Sequence, residues 1–115
     1  MPTRDWQLRI VDMEEAAQRI LTYAKGMTAK AFVADGKTMD AVIRNVEIVG
    51  EAAARIPASV QKRHPDIRWK DIRGMRNILV HAYFRVDAKI LWQVTQKDVP
   101  ELAVQLASLR EAEGF

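Results

Sequence analysis

Two arginines, an asparagine, a histidine and a tyrosine stand within eleven residues of this chain, Arg73-Gly-Met-Arg76-Asn77-Ile-Leu-Val-His81-Ala-Tyr83. The stretch also holds one of the only two histidines present. On a helix that advances about 100° per residue, Arg73, Arg76, Asn77 and His81 share an arc of roughly 140°. Ile72, Met75, Ile78, Leu79 and Ala82 take the other side. Tyr83 lies at the seam, about 20° from Arg76 in projection and about two turns further on. The segment reads as a helix that buries one face and offers the other as cations, hydrogen-bond donors and an imidazole.

Cleavage of an RNA phosphodiester asks for this kind of set. A base must take the 2′-hydroxyl proton, an acid must protonate the leaving oxygen, and a cation must stabilise the charge that gathers on pentacoordinate phosphorus. Histidine titrates near neutrality and can fill either proton-transfer role. Arginine keeps its proton but presents a planar fork to phosphate oxygens. Asn77, one turn before His81, can fix the imidazole tautomer or contact phosphate. One chain supplies one such histidine, so an acid–base pair needs two copies, and a homodimer about a two-fold axis provides them. Val80 and Phe84 are apolar residues on the otherwise polar side, which suits an interface there. Spacing alone leaves the alternative open, since any amphipathic helix distributes its residues in this way.

Other chemistries find no support. The chain has no Gly-rich phosphate loop, no Cys/His ligand set, no HExxH and no Ser–His–acid spacing. No metal or cofactor is expected. His64 is separated from His81 by a proline turn and reads as a surface histidine.

The elements that must position this stretch are helical. Asp5 to Lys25 carries Trp6, Ile10, Met13, Ala17, Ile20, Leu21 and Ala24 at helical spacing, with Thr3 as a candidate N-cap and Gly26 as the stop. Thr28 to Ala34 reads as a turn or two of helix with Phe32 turned inward, broken by Asp35-Gly36. The next long helix runs from about Lys37 to Arg55 and ends at Pro57. Its outer row of Arg44, Glu47, Glu51 and Arg55 is either a salt-bridged solvated face or the place from which Glu47 or Glu51 orients a catalytic arginine on a neighbouring helix. Ala58 to Pro65 reads as a polar connector, and His64-Pro65-Asp66 as a turn, because a residue before proline is pushed out of the α region. The central helix then spans Trp69 to about His81 or Tyr83. Asp87 is an N-cap candidate for Ala88 to about Val94. Asp98-Val99-Pro100-Glu101 reads as the start of a last helix with Val99, Leu102, Leu106 and Leu109 inward, and Gly114 closes it. No alternating strand pattern survives, so the expectation is an all-α, up-and-down bundle of four main helices plus short satellite helices.

Composition fits this architecture. The length of 115 residues suits a single domain spanning 1–115, and the 49% hydrophobic and 29% charged fractions are those of a soluble globular protein. The absence of cysteine fits a reducing compartment, and no apolar run approaches a membrane span, so a cytoplasmic protein without membrane association is the simplest reading. The net charge of +3 is dispersed and permits a nucleic-acid partner without arguing for one.

The order of residues adds a resemblance. Arg76-Asn77-Ile-Leu-Val-His81-Ala-Tyr83 matches the Arg-x4-His-x-Tyr signature of the HEPN superfamily, and most closely resembles HepT-like toxins. Asp40 to Ala53 is similar to the second long helix of that family, Trp69 to Asn77 to the lead-in of its catalytic helix, and Lys97-Asp-Val-Pro-Glu-Leu to the start of its final helix. The resemblance covers about Asp5 to Leu109. It implies a homodimeric, metal-independent endoribonuclease, the toxin of a type VII toxin–antitoxin system, paired with a minimal nucleotidyltransferase (MNT) antitoxin. It further implies Arg76 and His81 as the catalytic pair and Asn77 as the polar residue that follows the arginine; Arg73, Glu47 and Glu51 are supporting polar candidates from their placement on the helices, not from the resemblance. Tyr83 is implied as the tyrosine silenced by AMP transfer from ATP, since adenylyl phosphate beside Arg76 would occupy the cation and block RNA. Two other readings compete. One is a non-catalytic helical partner or nucleotide-binding subunit of such a nucleotidyltransferase. The other is an RNA-binding module without chemistry, which would show steep salt dependence.

Overall fold

A computed structural model describes the backbone of residues 5–81 and 87–115 and the side chains of residues 5–75 and 87–115. Helix α1 (Asp5–Ala24) buries Trp6, Ile10, Met13, Ala17 and Ile20, the stripe its periodicity predicts. It stops before Gly26, whose φ of +75° is a left-handed conformation that glycine adopts without steric cost. Thr28 caps α2 (Ala29–Val33), its hydroxyl accepting the Ala31 N–H at 3.1 Å, and places Phe32 fully inside against Trp92. The expected break at Asp35-Gly36 is itself a helix start. Asp35 caps α3 (Gly36–Ala53) by accepting the Thr38 N–H at 3.1 Å, and that bond holds its carboxyl below the ordinary range.

Two expectations from the sequence are corrected. Ala58 to Pro65 is not merely a polar connector: Ala58–Arg63 forms a short helix, α4, with Val60 buried against the core. The last two helices are also not separate. Helix α6 (Ala88–Gln93), capped by Asp87, runs through a π-helical segment (Val94–Asp98) into α7 (Val99–Glu113). Asp98 has helical backbone angles and makes no capping bond, so Asp98-Val99-Pro100 does not start a helix from coil. The physical reason lies in Pro100, which lacks an N–H and crowds the carbonyl one α turn back. Widening the preceding turn, where the Val99 N–H reaches back five residues to the Val94 carbonyl, lets the chain pass without breaking.

Direction follows from the core. Side chains at one end of the bundle gather around Trp6, Ile10, Ala53, Trp69, Ile72 and Leu106. Those at the other end gather around Ile20, Phe32, Val42, Leu91 and Val99, with Met75 packed against them. Helix α1 therefore runs from the first cluster to the second, α3 runs back, α5 (Trp69–His81) returns, and α7 runs back again. The close pairs are α1 with α3, α3 with α5, and α1 with α7. The architecture is all-helical and up-and-down, with four long helices and the short ones as satellites, as the periodicity predicts; no strand occurs among the described residues. No helix among them is long and apolar enough to cross a membrane. Thr3 lies outside the described residues.

Candidate active site

The chemistry-bearing stretch rides on α5, so the site depends on how α5 is launched. The turn before it is pinned from several sides. Ile67 is buried at 2% exposure and plugs the core. The Trp69 indole is buried, and its Nε1–H donates to the His64 carbonyl at 3.0 Å. From α7, the Gln105 side-chain amide donates to the Asp66 carbonyl at 3.0 Å. Glu113 grips the end of α4: Arg63 donates to both carboxylate oxygens, at 2.6 and 3.1 Å, and His64 Nε2 lies 2.9 Å from Oε2. The Arg63 guanidinium, followed by His64, holds the Glu113 carboxyl down at about 2, and Glu113 in turn raises Arg63.

His64 is thus corrected from surface histidine to structural tie, its side chain only 13% exposed. No local pattern reports this, because its partner lies 49 residues away.

Once launched, α5 is anchored by Ile72, only 7% exposed, and by Met75, packed into the second cluster. Arg73 lies on a different face and is half-buried, with Nη1 donating to Gln61 Oε1 at 3.4 Å. Gln61 is held by its own amide, which donates to the Ile56 carbonyl at 2.8 Å. Arg73 therefore leans towards α4 and lines a cleft of about 500 Å³ with Gln61, Lys62, Arg68 and Lys70.

Positions 76, 77 and 81 belong to the same unbroken helix, while the side chains of Arg76, Asn77, Val80 and His81, for which the sequence predicts roles, lie outside the described side chains. Tyr83 and Phe84 lie outside the described residues altogether. The outer row of α3 is partly ion-paired: Glu47 meets Arg44 at 3.7 Å, and Glu51 lines a smaller cleft of about 230 Å³ with Arg9, Asp12 and Arg55. Among the described residues neither carboxylate forms an ion pair with Arg73, so the structure does not bring Glu47 or Glu51 to the one site arginine whose side chain it describes. Sequence reasoning also missed Asn45. It is 5% exposed on α3, donates to the Ala41 carbonyl at 2.8 Å, and leaves its Oδ1 with no partner among the described residues. A polar residue inside an apolar stripe was the available signal. Among the described residues no group of three His, Asp or Glu side chains is arranged to hold a metal ion.

The described residues thus form an up-and-down helical bundle in which one helix, α5, carries Arg73 and positions 76 and 81. Residues 13–109 match the ribonuclease HepT-like family, and the chain belongs to that family. A protein of Thermococcus cleftensis named "Probable ribonuclease HepT" is 39% identical over 100 residues, covering 87% of this chain and 91% of that one. Two proteins of Methanocaldococcus jannaschii that bear provisional RNase names are similar as well. One is 34% identical over 102 residues, with 89% and 94% of the two chains covered. The other is 31% identical over 115 residues, with 99% and 95% covered. No solved structure gives a significant match.

Proposed function

We propose that the protein is a metal-independent endoribonuclease, the cytoplasmic toxin of a type VII toxin–antitoxin pair, acting as a single-domain homodimer. In this reading a base takes the 2′-hydroxyl proton, the 2′ oxygen attacks phosphorus, the bond to the 5′ oxygen breaks, and an acid returns a proton to that leaving oxygen. The His81 residues of two subunits share these transfers. Arg76 forks onto the non-bridging oxygens where charge accumulates, and Asn77 steadies the imidazole. The observation that carries the reading is the continuity of α5 from Trp69 to His81 in a chain of the HepT-like family. With Ile72 and Met75 anchored in the core, helical geometry puts positions 73, 77 and 81 on the side away from them, and position 76 at its edge. Membership of a ribonuclease family supports RNA as the substrate.

Silencing, in this reading, is covalent. An MNT-type nucleotidyltransferase antitoxin activates the Tyr83 oxygen to attack the α-phosphorus of ATP and displace pyrophosphate, leaving AMP on the tyrosine. The new phosphate competes for Arg76 and the adenosine fills the RNA path. The test is direct. Purified protein, shown by mass spectrometry to be free of AMP, is expected to shorten RNA in the presence of EDTA, and His81→Ala and Arg76→Ala are each expected to abolish cleavage. An inert AMP-free wild type would overturn the reading.

A further inference from the structure

The cleft between α4 and the start of α5 has a composition that the catalytic set does not use. Its lining includes Lys62, Arg68, Lys70 and Arg73 against one carboxylate, Asp71. Elsewhere among the described residues Arg9, Arg19, Arg44, Arg63 and Arg110 each have a carboxylate within ion-pairing distance, while Arg55, whose cleft holds Asp12 and Glu51, and the exposed lysines outside this cleft do not. Among the described residues none of the four cleft cations does. Lys62, Arg68 and Lys70 are exposed, while Arg73 is drawn into the cleft by Gln61. Four cations line one cleft with a single acid, and like charges gathered in this way repel unless a counter-charge joins them. An anion is the natural counterpart.

The shape says which anion. The volume of about 500 Å³ is in the range of ordinary ligand sites, which run about 300–1,000 Å³, yet it is open and lacks the enclosing polar set of a small-molecule pocket. Its position along α5 gives direction. At about 100° per residue, positions 70, 73, 77 and 81 fall within an arc of roughly 80°, so the cleft opens onto the helical face that carries the histidine position. The axial separation from Lys70 and Arg73 to position 81 is about 12–16 Å at 1.5 Å per residue.

We infer that this cleft is a backbone-binding subsite for single-stranded RNA, holding phosphates upstream or downstream of the cut and leading the strand along α5 to the catalytic face. The inference rests on the ribonuclease reading above for its link to cleavage, though not for binding itself. At about 3.4 Å per stacked nucleotide, the axial separation places the subsite roughly three to five nucleotides from the scissile bond. Contacts are to phosphate, so the subsite sets length preference and salt dependence but not sequence. A dinucleotide cannot reach it; a 12-nucleotide strand can.

The experiment uses the double variant Lys62→Gln/Lys70→Gln, which leaves Arg73 and the catalytic residues in place. Both lysines are exposed, so the melting temperature should hold. Binding of a labelled 12-nucleotide RNA is measured by anisotropy in a His81→Ala background, from 50 to 200 mM salt. For single strands each phosphate contact contributes a slope of about −0.7, so losing two flattens the slope by about 1.4, and the parent's affinity then falls about sevenfold more than the variant's over that range. With His81 restored, KM for the 12-mer is expected to rise while kcat and dinucleotide cleavage stay unchanged. Equal slopes and equal KM in a protein that cleaves would overturn the subsite and leave the ribonuclease reading standing. A protein that does not cleave, yet binds RNA through Lys62 and Lys70, would do the reverse. Absence of both binding and cleavage would overturn both.

Discussion

Replacing Glu113 with glutamine tests whether α5 is launched from a fixed base. In the folded protein the Arg63 guanidinium, with His64 second, lowers the Glu113 carboxyl from 4.5 to about 2. At about 1.36 kcal/mol per pH unit the whole difference would amount to about 3 kcal/mol. Arg63, however, is 48% exposed, and solvent screening of such a pair brings the expected loss to about 1–2 kcal/mol. For a domain of this size that lowers the melting temperature by roughly 4–8 °C. The pH dependence has a definite sign. The folded carboxyl titrates below the unfolded one, so its stabilisation is complete above about pH 4.5 and fades as pH falls towards 2, where the unfolded chain takes up its proton first. Calorimetric melts of wild type and variant from pH 7 to pH 2 should therefore converge at the acidic end. Amide exchange at Ile67 and Trp69 should quicken in the variant at pH 7. Unchanged melting at pH 7, or a gap that persists in full at pH 2, would refute the account.

Three further expectations concern the scaffold and the switch. Trp69→Phe keeps most of the buried ring but loses the bond to the His64 carbonyl, and should cost about 1–2 kcal/mol in a urea titration; no measurable loss would mean that the indole N–H does not secure the turn. Phe32→Ala empties a fully buried site beside Trp92 and should cost about 3–5 kcal/mol by the same assay. Under the proposed switch, Tyr83→Phe should still cleave RNA and escape inhibition by the proposed nucleotidyltransferase antitoxin. Intact-mass and peptide mapping of the treated wild type checks this, and AMP found on another residue would refute the assignment.

The long helices were legible because their apolar residues recur at three and four positions over many turns; α1, α3, α5 and the stripe of Leu102, Leu106 and Leu109 emerge from spacing alone. Helix α4 was not, because six residues with one inward side chain, Val60, carry no period, and the prolines at 57 and 65 suggested a connector. The continuity through Val94–Asp98 was hidden by a proline whose usual meaning is a helix start. At the candidate site, periodicity predicted the helix that the structure shows as α5, whereas the roles proposed for Arg76, His81 and Tyr83 come from residue order that resembles a family. The Glu113 tie joins residues 50 apart in sequence, and the cationic cleft depends on how the turn folds α4 back beside α5, neither of which a local pattern reports.

The π segment also fixes what this chain can tolerate by length rather than by identity. One extra residue in a turn shifts the angular phase of everything after it by about 100°. Leu91 before it packs in the cluster of Phe32 and Val42, whereas Leu102, Leu106 and Leu109 after it pack in the cluster of the first half of α1. The segment is a phase corrector that lets one continuous rod serve two neighbours in different directions. Deleting a single residue would restore regular winding, return Pro100 to a clash, and swing the leucine row of α7 a quarter turn or so away from α1.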